Sequence, residues 1–215
     1  ESVSWDRRCV KETDFTGASM QTLRSLEKSG VLTLERQEVF RRVPLDGVEP
    51  AGPIRLNEEQ ERAFQGLDAM ARAGAGAALL YGVTGSGKTQ VYLRLIQETL
   101  ARGRTALVLV PEIALTPQLL RIFAAHFGEQ IGVLHSSLRA GERYDEWKRI
   151  RRGEARVVIG TRSAVFAPLE RLGLVILDEE QEASYKSENN PRYHARDVAK
   201  YRCVCLLYTS PSPRD

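Results

Sequence analysis

Apolar positions along this chain follow two regimes that meet near residue 50. In ASMQTLRSLEKSG, residues 18–30, Met20, Leu23 and Leu26 recur at helical spacing and the run stops at Gly30. That pattern predicts a short amphipathic helix with a glycine stop. VLTLERQEVFRRVP follows, with apolar positions on both sides of a polar ERQE, which suits a β-hairpin or wing. A helix followed by a hairpin is how a winged helix-turn-helix ends. Residues 1–46 therefore read either as the last part of a small nucleic-acid-binding domain or as a generic packing appendage. PLDGVEPAGP, with three prolines and two glycines in ten residues, reads as a linker, placed at 47–55.

From Leu56 the pattern alternates short apolar runs with amphipathic ones. NEEQERAFQGLDAMARAG opens on Asn57 with Gln60 three residues on, a capping-box arrangement, and closes at Gly74. The runs AALLYG, TALVLVP, QIGVLHS, ARVVIGT and LGLVIL read as strands. TQVYLRLIQETLARG, PQLLRIFAAHFG and GERYDEWKRIRRG read as helices between them. Continuous apolar strands separated by helices predict an α/β fold, a parallel sheet covered on both faces. Ligands of such sheets bind beyond the carboxyl ends of the strands. The basic helix end Lys148, Arg149, Arg151 and Arg152 reads as a solvated face.

Composition narrows the class without naming a function. At 215 residues, 42% hydrophobic and 27% charged, the chain suits a soluble protein with one large core. No run approaches the roughly 18 apolar residues of a membrane span, and ESVSWDRRCVKETD is too polar for a signal peptide, so a cytoplasmic protein is expected. Cys9, Cys203 and Cys205 are expected to be reduced thiols, because C-V-C lacks the paired spacing of a zinc site. A net charge of +3 permits a nucleic-acid partner without requiring one.

Chemistry enters at Gly82-Val83-Thr84-Gly85-Ser86-Gly87-Lys88-Thr89, which satisfies G-x-x-x-x-G-K-[ST] between a predicted strand and a predicted helix. Glycines let successive N–H groups turn toward phosphate oxygens at a helix N-terminus. Lys88 would reach the outer phosphates of ATP, and Thr89 would ligand Mg²⁺. A metal-bound phosphate needs an acidic partner, and Val175-Ile176-Leu177 delivers one as Asp178 at a strand end. Glu179 is then placed to orient or deprotonate the attacking water.

With these motifs in place, LLYGVTGSGKT, VLVPEIALTPQ, GTRSAVFAP, VILDEEQEASYK and PRYHARDVA, in that order, resemble the primosomal replication-restart helicases of superfamily 2. The resemblance runs from about residue 16 to residue 202. It implies that residues 56–202 are the first of two RecA-like lobes, preceded by the end of a winged-helix domain. It also implies ATP-driven 3′-to-5′ unwinding of DNA, forked or single-stranded, with replication-restart proteins and single-strand-binding protein as partners in the bacterial nucleoid.

Carried over by motif, Gly82, Thr84, Gly85, Ser86, Gly87, Lys88 and Thr89 would bind ATP. Thr89 and Asp178 would hold Mg²⁺, and Lys88, Asp178 and Glu179 would be catalytic. Gln60 lies where related helicases read adenine, while a capping box explains it equally well. Pro111, Glu112, Thr116, Thr161, Arg162 and Ser163 match motifs that face DNA, with helix capping as the alternative for Thr116 and Ser163. Tyr185, Lys186, Arg192 and Tyr193, with His194 and Arg196, form an aromatic and cationic loop. Such a loop can stack on bases and couple DNA contact to hydrolysis, or pack on itself.

Two features depart from the pattern. Gln181 stands where the family carries a histidine. Glutamine cannot titrate near neutral pH, so hydrolysis is expected to survive while its coupling to DNA is retuned. CVCLLYTSPSPRD, residues 203–215, resembles translated adapter sequence, and the reading frame is expected to leave the native gene near Cys203. The family's second lobe and its zinc cysteines would belong to sequence further downstream. The competing readings are another superfamily 2 DNA translocase, which would lack PRYHARD, and a non-catalytic binding module, which would not need Glu179.

Overall fold

The structure is a computed structural model and describes residues 19–31, 33, 47–74, 76–83 and 85–208. It divides into two compact units, residues 1–41 and 42–215. In the first, α1 (Met20–Lys28) forms where the apolar spacing predicts it. Ser19 Oγ accepts from Thr22 N at 3.2 Å, capping the N-terminus. Gly30 closes the helix at φ 74°, with Val31 N–H returning to the Leu26 carbonyl at 3.0 Å. The expected hairpin lies almost entirely outside the described residues.

The second unit is a doubly covered parallel sheet. Its strands are β1 (Thr105–Leu109), β2 (Ile131–Leu134), β3 (Val157–Gly160) and β4 (Leu172–Leu177), in the order β2-β3-β1-β4. The helices are α2 (Glu58–Ala73), α3 (Lys88–Ala101), α4 (Pro117–Phe127), α5 (Ala140–Arg151) and α6 (Ala195–Tyr208). Side chains alternate across a strand, so each strand feeds two cores. Ala106, Val108, Val157 and Ile159 join Leu93, Ile96 of α3 and Phe123, Phe127 of α4 on one face. Leu107, Leu109 and Val158 join Ile150 of α5 and Ala195, Ala199 of α6 on the other. This is the α/β parallel sheet with helices on both faces that the apolar pattern predicts, and the RecA-like lobe that the resemblance implies.

Local signals hold in detail on α2. Asn57 Oδ1 accepts from Gln60 N–H at 2.9 Å and Asn57 N–H donates to Gln60 Oε1 at 3.0 Å, closing the expected capping box. Phe64 packs α2 onto Val91 and Leu95 of α3. Asp68 reinforces that contact by accepting from Arg102 and Arg72.

Two expectations fail for a shared reason. The run 77–82 is not a strand. It carries no ladder, and Leu79 and Tyr81 are 74% and 91% exposed. Apolar composition specifies a preference for burial, whereas pairing needs a neighbouring edge in register. β4 therefore remains an edge strand and is only partly buried. Arg149 is likewise not part of a solvated face. It is 3% exposed, and Nη1 donates to Glu146 Oε1 at 2.6 Å, Glu146 itself being 2% exposed.

That pair closes the opposite edge of the sheet. Val133 N–H donates to Glu146 Oε2 at 3.1 Å, and Arg149 Nη2 donates to the Ile131 carbonyl at 3.4 Å. Ile131 and Val133 are alternate residues of β2 and turn their backbone groups the same way, outward from β3. A buried ion pair thus occupies the hydrogen-bonding positions that a further strand would take. α6 runs through Cys203 as far as Tyr208, and residues 209–215 of the tail lie outside the described residues.

Candidate nucleotide site

The phosphate-loop sequence leads directly into α3. Gly87 is the residue before the helix, at φ 79°, and Gly85 sits at φ 82°. Both conformations are left-handed, where a side chain is disfavoured. Space is also limited, since a Cβ at Gly82 would stand 2.8 Å from Ser86 Oγ and one at Gly87 would collide with Gln60 Nε2. Lys88 Nζ lies over the loop, donating to the carbonyls of Gly82 at 2.6 Å and Val83 at 3.3 Å. Thr89 is half-buried in the first helical turn. Thr84 lies outside the described residues.

Gln60 combines both of its possible readings in one geometry. While its Oε1 closes the capping box, its Nε2 donates to the Ser86 carbonyl at 3.2 Å and the Gly87 carbonyl at 3.4 Å. The start of α2 is thereby tied to the back of the loop.

β4 ends at Leu177, and Asp178 follows it. Asp178 N–H donates to the Leu109 carbonyl at 2.9 Å, holding the carboxylate's backbone against the end of β1. Tyr92 Oη, on α3, donates to Asp178 Oδ1 at 3.1 Å. Burial, then the charges of Asp178 and Glu179, push the Tyr92 hydroxyl well above the ordinary tyrosine value, so it stays a donor. Glu179 is exposed and adopts φ 48°, a left-handed conformation unusual for a side chain of its length.

Of the two readings open for the loop after the carboxylates, stacking on bases or packing on the protein, Tyr185 takes the second. It is 0% exposed, and its hydroxyl donates to the carbonyls of Leu109 at 2.9 Å and Asp178 at 2.6 Å. A phenol whose burial satisfies two strand-end carbonyls cannot also stack on DNA. Burial foremost, with Asp178 and Glu179 behind it, raises its pKa above the ordinary value. Half-buried Arg162 is engaged by the protein's own backbone, donating to the carbonyls of Ser184 and Lys186. It joins the turn after β3 to the loop after β4.

The remaining residues separate by exposure. Ser163, Gln181, Lys186 and Arg192 are exposed, whereas Thr161 is buried. Thr116 caps α4, accepting from Leu119 N–H at 3.2 Å. Tyr193 is half-buried edge-on against exposed Phe166, with ring centroids 5.0 Å apart. A cleft of about 190 Å³ beside the ends of β2 and β3 is lined by Glu112, His135, Ser136 and Thr161. Ser136 Oγ donates to Glu112 Oε1 at 2.6 Å, so this cleft carries a carboxylate.

Sequence reasoning missed Tyr92, and it left Glu180 without a role. Glu180 pairs with Arg196 Nη1 at 3.1 Å, linking the carboxylate turn to α6. Tyr92 carried a signal, lying four residues after Lys88 and therefore on the same helix face.

The donor set fits Mg²⁺ with nucleotide. A threonine hydroxyl and an aspartate carboxylate are hard oxygen ligands, and the glycine loop opens a helix whose N-terminal N–H groups suit phosphate. The parallel sheet and its covering helices define an α/β RecA-like lobe. The chain belongs to the DEAD/DEAH box helicase family, whose model matches residues 57–212. It is 47% identical over 191 residues to the replication restart protein PriA of Bacillus subtilis, covering 88% of this chain and 23% of that protein. PriA of Treponema pallidum is 52% identical over 158 residues, covering 74% and 24%. PriA of Synechocystis is 44% identical over 185 residues, covering 86% and 22%. The chain thus spans about a quarter of the length of these relatives. The UvsW helicase of bacteriophage T4 overlays with a TM-score of 0.48 at 18% identity, covering 87% of this chain and 67% of that one. Among the described residues no helix is long and apolar enough to cross a membrane.

Proposed function

We propose that this lobe binds and hydrolyses ATP within an intact 3′-to-5′ DNA helicase that restarts replication at stalled forks. One observation carries the reading. The helix that the glycine loop opens is joined to the end of β4, Tyr92 of α3 donating to the Asp178 carboxylate. The similarity to replication restart proteins supports the biological setting.

In this reading the backbone N–H groups at Gly85, Ser86 and Gly87 hold phosphates, and Lys88 exchanges its loop carbonyls for phosphate oxygens. Thr89 and Asp178 hold Mg²⁺, which when bound shields the terminal phosphate and polarises it. Glu179 orients the attacking water and receives its proton. Thr116, Ser163, Lys186 and Arg192 offer hydroxyls and cations to the DNA backbone. Arg162, Tyr185 and Tyr193 act through their contacts within the lobe, coupling the loop after β4 to the site. Gln181 retunes that coupling. Residues 1–46 supply the end of a winged helix. Restart proteins and single-strand-binding protein are the partners, in a cytoplasmic, nucleoid setting.

The test is steady-state ATP turnover by the full-length protein with forked DNA, with duplex DNA and without DNA. Stimulation by forks is expected, together with loss of turnover in Lys88→Ala. Stimulation by plain duplex would favour a translocase, and absence of turnover a binding module.

A further inference from the structure

We propose that Tyr92 is a positioning residue that aims the Asp178 carboxylate at the metal, an inference that rests on the nucleotide-site reading above. Three restraints converge on Asp178. Its N–H donates to the Leu109 carbonyl, its own carbonyl accepts from Tyr185, and its Oδ1 accepts from Tyr92 at 3.1 Å. The first two fix the backbone. Only the side-chain torsions remain free, and among the described residues Tyr92 is the group that hydrogen-bonds the carboxylate.

A carboxylate has about four lone-pair positions, and the phenol occupies one of them on Oδ1. The other oxygen remains available to Mg²⁺ or its water shell. Mg²⁺ tolerates little departure from octahedral geometry, so the rotation of that carboxylate is consequential. The phenol is itself held, since the Tyr92 ring packs against the core cluster that includes Leu93 and Ile96.

Helical spacing explains why α3 can do this. Lys88, Thr89 and Tyr92 lie within four residues, with Tyr92 at i+4 from the lysine and i+3 from the threonine, so all three share one face. One rigid helix therefore presents the phosphate cation, the metal hydroxyl and the donor that aims the opposing carboxylate. Groups that orient metal ligands typically contribute about 10- to 100-fold in metal affinity or activity.

The test is a Mg²⁺ titration of the full-length protein, following both binding of a fluorescent ATP analogue and ATP turnover, with binding repeated in EDTA. Tyr92→Phe keeps the ring and removes only the hydroxyl. The half-saturating Mg²⁺ concentration is expected to rise about 10-fold, while analogue affinity in EDTA and the unfolding midpoint stay at the wild-type values. An unchanged Mg²⁺ requirement in Tyr92→Phe, alongside a raised one in Asp178→Asn, overturns the role of Tyr92 and leaves the nucleotide site standing. A loss of affinity equal in EDTA and in Mg²⁺ would mark general loosening and also overturns it. If Lys88→Ala and Asp178→Asn change nothing either, the nucleotide-site reading itself fails.

Discussion

Glu179 holds a left-handed backbone, φ 48°, at the position assigned to water activation. Such a conformation costs a long side chain about 1 kcal/mol or more and is common at functional sites. Asparagine tolerates it better. Glu179→Asn should therefore lose ATP turnover by about 10²-fold or more while its chemical unfolding midpoint stays equal or rises. If stability fell together with activity, Glu179 would have a structural role that the backbone geometry does not indicate. At this scale the loop glycines were legible from sequence, because Gly85 and Gly87 take left-handed backbones through their own lack of a side chain. Tyr185 was not legible. Nothing local distinguishes a tyrosine that stacks on DNA from one whose hydroxyl meets the carbonyl of Leu109, 76 residues away.

Among the elements, β2 and α5 illustrate how a polar pair can end a sheet. Glu146 and Arg149 are buried together, and each also satisfies a backbone group on the outer side of β2. Removing one partner leaves the other charge buried and a strand N–H or carbonyl unmatched. Glu146→Ala should destabilise the unit by about 3–5 kcal/mol, read as a lowered midpoint in urea. A loss below about 1 kcal/mol would show that water replaces the carboxylate readily. Helix starts and stops were legible here, since Asn57, Thr116 and Gly74 act within one turn. The charge pattern of α5 did not reveal that Arg149 turns inward, because helical position places a residue on a face without saying what covers that face.

Across the whole molecule, acid should weaken the fold. Burial lowers the pKa of His126, and it lowers His135 against the opposing pull of Glu112 and Glu142. A base whose folded pKa lies below its unfolded value binds more protons when unfolded. Stability is then complete above about pH 6.5 and declines as pH falls through that value toward the folded pKa. Burial raises Asp68, but Arg102 and Arg72 more than offset it, so the net shift is downward; its contribution is lost in the same direction, at lower pH. Thermal unfolding at pH 7.5 and pH 5.5 should show a lower midpoint at pH 5.5, with the difference reduced in His135→Gln. Equal midpoints would contradict the burial assigned to these histidines.

By itself, the sequence determined the features that a few consecutive residues can encode. These are the glycine loop that opens α3, the capping box at Asn57 and Gln60, four parallel strands as apolar runs, and the carboxylates that follow β4. Tertiary structure decided what depends on residues far apart in the chain. It left the run 77–82 unpaired, turned Arg149 and Tyr185 inward, gave Arg162 to the carbonyls of Ser184 and Lys186, and brought Tyr92 to Asp178 across 86 positions. Periodicity and short motifs report backbone preference. Whether a polar side chain meets DNA, water or a buried carbonyl is set by which elements pack around it.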